Sequence, residues 1–125
     1  MVAAMRALFE AIRLGRQSAP EFLKNDPELI RQYKYWHENK NIWPEIPQGI
    51  REAGLTEMEI YLRGTRMFMI AETPDNVDFD AAMATMTTLP RQKEWAAFVA
   101  KFQQPLPDAG PGEKWLPMER VFKLP

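Results

Sequence analysis

Among 125 residues there is no cysteine and only one histidine. The first absence excludes disulfides, thiolate metal sites and a cysteine nucleophile. The second argues against zinc, whose sites usually draw on several His or Cys ligands. Formal net charge is −1, from 16 basic and 17 acidic residues, so no strongly basic surface is available for nucleic acid. No apolar run approaches the length needed to span a bilayer. The N-terminus lacks the apolar h-region of a secretory signal. The expectation is a cytoplasmic enzyme or binding protein without a structural metal, engaging neither nucleic acid nor membrane.

What is present suits one folded domain. A chain of this length can enclose a substantial core. A hydrophobic share of 46%, with seven Phe, four Trp and three Tyr, supplies the material for it.

The most informative stretch runs from Asp26 to Pro44. It holds the lone His37 and two tryptophans, Trp36 and Trp43. Asp26 suits a helix N-cap and Pro27 the first helical position, which predicts a helix from Pro27 to about Asn39. Leu29, Tyr33 and His37 recur every four residues and so share one face. An imidazole in an aromatic setting can transfer protons near neutral pH. A single histidine on an apolar helix face can equally be a hydrogen-bonded core residue, and the residues alone leave both roles open.

Residues 1–23 read as an N-terminal extension or a divergent first strand, ahead of a domain spanning 24–125. Met5, Leu8, Phe9 and Ile12 fit helical spacing, and Ala19–Leu23 fits an extended segment. After the first helix, Pro44 can start a short helix that ends at Gly54. Met58–Leu62 alternates, Arg63–Arg66 contains a turn glycine, and Met67–Glu72 is mostly apolar; together they predict an antiparallel hairpin. Asp78 or Asp80 can open a further helix carrying Phe79, Met83 and Met86. Another resumes near Arg91, with Trp95, Phe98, Val99 and Phe102 at helical spacing. Residues 103–117 form a Pro/Gly-rich loop, and Met118–Leu124 alternates as a final strand. The fold class is α+β. With an early strand before Asp26, the order becomes the ferredoxin-like βαββαβ pattern.

Asp26-Pro-Glu-Leu-Ile30, Trp43-Pro-Glu-Ile46, Ile50-Arg-Glu-Ala-Gly54, Glu59-Ile-Tyr-Leu62, Lys101-Phe-Gln-Gln-Pro-Leu-Pro107 and Pro117-Met-Glu-Arg-Val-Phe-Lys-Leu124 are ordered motifs. From about Lys24 onward they make the chain resemble the L-rhamnose mutarotase family, including its L-fucose mutarotases. The resemblance implies a ferredoxin-like domain that pairs into a dimeric α/β barrel. It implies a homodimer that interconverts the anomers of a 6-deoxy-L-hexose without a cofactor. His37 matches the catalytic histidine, and Tyr33 the substrate-binding tyrosine one turn before it. Trp95 matches the first of two tryptophans bordering the sugar. The second falls at Ala96, and a sugar-binding tyrosine of the second strand falls at Met58. These departures concern specificity and leave L-fucose, L-rhamnose or another deoxy sugar open as substrate.

Mutarotation removes a proton from the anomeric hydroxyl and delivers one to the ring oxygen. A working hypothesis has protonated His37 donate to the ring oxygen while water or Tyr33 handles the anomeric proton. Trp43 and Trp95 are candidates to lie against the apolar face or methyl group of the sugar. Trp36 and Trp115 read as packing or loop anchors. Alternatives are a non-enzymatic sugar-binding module, or another cofactor-free enzyme or haem protein on the same kind of fold.

Overall fold

The computed structural model describes residues 17–107 together with 115, 118, 119, 121, 122, 124 and 125. The helix expected at Met5–Ile12 lies outside them. In chain order the elements are β1 (Gln17–Leu23), α1 (Pro27–His37), α2 (Glu45–Glu52), β2 (Glu57–Arg63), β3 (Arg66–Glu72), α3 (Phe79–Met86), α4 (Gln92–Ala100) and β4 (Gln103–Gln104). The four strands form one antiparallel sheet in the order β2-β3-β1-β4.

Local chemistry explains most of the boundaries. Asp26 is extended, and its carboxylate accepts from the backbone N–H groups of Glu28 and Leu29 at 2.9 and 3.2 Å. It thereby satisfies two donors that the first turn of α1 leaves open. Asp78 does the same for α3 by accepting from Ala81 N at 2.9 Å. Helix α2 ends as Gly54 takes a φ of +109°, a conformation that glycine adopts without a Cβ penalty. The hairpin between β2 and β3 closes through Gly64 (φ +61°) and Thr65, with Arg63 opposite Arg66. A two-residue connection led by glycine matches the right-handed strand twist.

Alternation on β2 places Met58, Ile60 and Leu62 on the inner face, opposite Ala71, Met69 and Met67 of β3. Helices α1 and α4 cover this face. Leu23, Tyr33, Met67, Val99 and Phe102 are buried together, with Ile60, Leu62, Trp95 and Phe98 packed around them. Each such large apolar side chain contributes roughly 1.5–3 kcal/mol relative to exposure. A second cluster, Leu55, Ala71 and Ala82, seats α3 and the end of α2. On the other face, Tyr61 and Phe68 stand directly opposite each other, 40% and 38% exposed.

The final strand expected at Met118–Leu124 is a correction. Met118, Glu119, Val121, Phe122 and Leu124 are not in a strand. The fourth strand is Gln103–Gln104, inside the stretch read from sequence as loop. Phe22 and Leu23 of β1 pair with Gln104 and Gln103, so this short strand occupies that edge of the sheet. The alternating apolar residues of the tail remain outside: Val121 and Leu124 are 93% and 74% exposed.

Candidate active site

Helix α1 carries the two polar members of the site, Tyr33 and His37, four residues apart and so on one face. Tyr33 is buried and His37 half-buried one turn later, with their rings stacked at a centroid distance of 4.0 Å. His37 Nδ1 lies 2.7 Å from the carbonyl oxygen of Tyr33. A carbonyl can only accept, so Nδ1–H donates and the neutral imidazole keeps its lone pair on Nε2. Burial pushes the imidazole pKa below its ordinary 6.5, partly opposed by the bond to the Tyr33 carbonyl. Desolvation penalises the charged form, so the ring is neutral near pH 7.

Helix α4 brings the indole of Trp95 to His37, edge to face at 5.3 Å. Trp43 packs behind it, 5.0 Å from Trp95 and 5.3 Å from Phe98. The Arg91 guanidinium covers the far side of Trp43 at 4.0 Å. Arg91 has a left-handed φ of +63° at the start of α4 and pairs with Glu94 at 2.9 Å and Glu45 at 3.5 Å. Such backbone is uncommon for a non-glycine residue, and the stacked, ion-paired guanidinium offsets it. Gln92 ties the helices together: its Nε2 donates to the carbonyls of Glu45 and Ile46 at 3.1 and 3.2 Å.

Between the helices and the inner sheet face is a cavity of about 480 Å³, lined by Tyr33, His37, Met58, Trp95, Ala96 and Trp115 among others. An adjoining cavity of about 420 Å³ is more polar, with Asn39, Arg51, Thr56 and Glu57 on its wall. His37, Ile50, Met58 and Ile60 belong to both, so the imidazole stands where they meet. Both volumes fall in the range of small-molecule sites.

Three of the four residues singled out from sequence, Tyr33, His37 and Trp95, converge on one cavity. Trp43 lines neither cavity and instead supports Trp95 from behind. Met58 and Ala96 also line the larger cavity, so both departures noted in the sequence fall on its wall. Trp36 packs against Phe98 at 5.4 Å. Trp115, read as a loop anchor, reaches the cavity wall. Sequence reasoning missed Gln103, a buried residue of β4 that also lines this cavity. Its place in the Lys101–Pro107 motif was the available signal. No group of three or more His, Cys, Asp or Glu suited to a metal occurs among the described residues. None of their helices is long and apolar enough to cross a membrane.

The described residues form a small α+β domain that sets an imidazole beside an apolar, aromatic-walled cavity of small-molecule size. The model of the L-rhamnose mutarotase family matches residues 21–124. An L-fucose mutarotase of Xanthomonas campestris pv. campestris is 37% identical over 102 residues, which cover 82% of each chain. An L-rhamnose mutarotase of Acidiphilium cryptum is 28% identical over 80% of this chain and 90% of its own. The crystal structure of an L-rhamnose mutarotase from Formosa agariphila superposes with a TM-score of 0.62 at 22% identity, covering 88% of this chain and 98% of that one. The chain belongs to the L-rhamnose mutarotase family, whose members are carbohydrate isomerases.

Proposed function

We propose that this protein is an aldose mutarotase that interconverts the α and β anomers of a 6-deoxy-L-hexose, L-fucose or L-rhamnose, with His37 as the acid–base group. One observation carries the assignment of His37. Its Nδ1–H is committed to the Tyr33 carbonyl, which leaves the Nε2 lone pair for the ligand. The lowered pKa supports the opposite order of proton transfer to the working hypothesis. His37 begins as base: Nε2 takes the proton of the anomeric hydroxyl while the bond between C1 and the ring oxygen breaks. The imidazolium then gives that proton to the former ring oxygen, producing the open-chain aldehyde. Rotation about C1–C2 turns the other carbonyl face to the hydroxyl, and the same steps in reverse close the ring. General acid–base assistance of this kind typically contributes ~10²–10⁴-fold.

Tyr33 orients the imidazole through its stacked ring and its carbonyl. Trp95 offers an indole to the apolar side of the sugar, and Trp43 holds that indole in place. The sheet order β2-β3-β1-β4 supports a ferredoxin-like description. A homodimer is part of this reading. The half-exposed pair Tyr61 and Phe68, and the exposed apolar tail at Val121, Phe122 and Leu124, support it.

The test follows anomer exchange of L-fucose and L-rhamnose by magnetisation-transfer NMR, with wild type and His37→Ala. Acceleration by the wild type that the variant loses is the expected result. Equal exchange in both proteins removes the role of His37. No acceleration of any deoxyhexose by the wild type removes the enzyme reading.

A further inference from the structure

We infer that Gln103 is a substrate-positioning residue, its side-chain carbonyl accepting a hydrogen bond from a hydroxyl of the bound sugar. The inference rests on the mutarotase reading of the same cavity. Thr73, Gln92 and Gln103 are the buried polar side chains among the described residues. Thr73 Oγ1 donates to Val77 O at 3.1 Å, and Gln92 Nε2 donates to two carbonyls of α2. Gln103 Oε1 is buried and has no hydrogen-bond partner among the described residues. The residue is 6% exposed and lines the cavity that holds His37 and Tyr33.

Its backbone cannot carry the amide out to water. Gln103 pairs with Leu23 across the sheet, and Lys24 N donates to Phe102 O at 2.9 Å on the residue before it. Phe102 N is in turn bonded to Val99 O at 3.0 Å. A buried acceptor left without a donor is unfavourable, and native proteins rarely keep one without a use. A pyranose brings several hydroxyl donors into such a space. Met58 and Ala96, on the same wall, have no hydrogen-bonding side chain, and Thr87 and Lys93 are exposed. The cavity therefore recognises a sugar hydroxyl through Gln103, at a position separate from the proton-transfer nitrogen.

Gln103→Met is close to isosteric and removes the carbonyl. The experiment measures anomer exchange against sugar concentration for wild type and Gln103→Met, using L-fucose, L-rhamnose and L-fucose analogues each lacking one ring hydroxyl. The variant should raise KM by about tenfold for L-fucose, with kcat within about twofold. For the one analogue that lacks the contacted hydroxyl, the substitution should change nothing, an effect a merely structural residue does not produce. The unfolding midpoint should stay level or rise, because a buried unpaired acceptor has been removed. Gln103→Leu repeats the measurement if the methionine variant folds poorly. Active wild type with KM unchanged in either variant overturns the role of Gln103 alone, as does an equal loss across all analogues. Wild type that accelerates no deoxyhexose overturns the mutarotase reading, and this inference with it.

Discussion

The side-chain amide of Gln92 occupies the space into which a Cβ at Gly49 would project. The absence of a side chain at Gly49 lets α4 approach α2 closely enough for Gln92 to bond Glu45 O and Ile46 O. Gly49→Ala should therefore destabilise the fold. Overpacking costs ~1–3 kcal/mol, against a helix-propensity gain of about 1 kcal/mol. Urea unfolding should show a net loss, and adding Gln92→Ala should recover part of it, a non-additive pair. Unchanged stability in Gly49→Ala contradicts this account of the contact.

The pH dependence follows from the depressed pKa of His37. Exchange catalysis needs the neutral ring, so kcat/KM should rise with pH through a midpoint below 6.5 and then level off. Stability has the same sign. Between the folded pKa and 6.5 the unfolded chain binds more protons at this site, so the contribution is complete above 6.5 and is lost as pH falls through the folded value. NMR titration of the imidazole, beside exchange rates from pH 5 to 8, checks both; a midpoint above 6.5 contradicts the assignment.

Asp26→Ala removes the cap of α1 without touching the cavity. It should lower stability by ~1 kcal/mol, read as a lower denaturant midpoint, while kcat/KM stays near wild type. A large activity loss at unchanged stability shows that the cap also tunes the orientation of His37.

The two indoles should separate by role. Trp95→Leu removes a cavity wall and should raise KM. Trp43→Leu leaves that wall in place but removes its support, so it should lower kcat more than it raises KM, by up to ~10²-fold if the ring is misplaced. Exchange kinetics on both variants decide this, and identical KM effects place Trp43 at the sugar after all.

Phe68→Asp tests the proposed homodimer. A charge at one member of the Tyr61–Phe68 pair repels an apolar partner surface, so sedimentation should show a shift toward monomer. A wild-type chain that is already monomeric at micromolar concentration ends that proposal.

Much of the architecture was readable because it depends on local chemistry. The Asp26-Pro27 start, the Gly54 stop and the Gly64 hairpin each depend on a residue type with one strong backbone preference. The Tyr33–His37 pairing came from helical spacing. The last strand was misread because alternation reports a propensity to pair, whereas pairing needs a vacant edge, and Gln103–Gln104 takes that edge of β1. Gln103 was passed over for a related reason: a glutamine in a Pro/Gly-rich stretch reads as solvated loop until the fold buries it. For Trp43 and Trp95 the residues alone give aromatic content but not which ring stands in front; only the family resemblance favoured Trp95.

The hydrogen bond from His37 to the Tyr33 carbonyl leaves the proposed catalyst a single working nitrogen. A proton collected there must be returned from there, so ring opening and ring closure pass through the same atom. A sugar entering as either anomer meets the same base first and the same acid second. The protein gains and loses no proton over a turnover, and it cannot prefer one direction. It shortens the time to equilibrium and leaves the anomer ratio to the sugar.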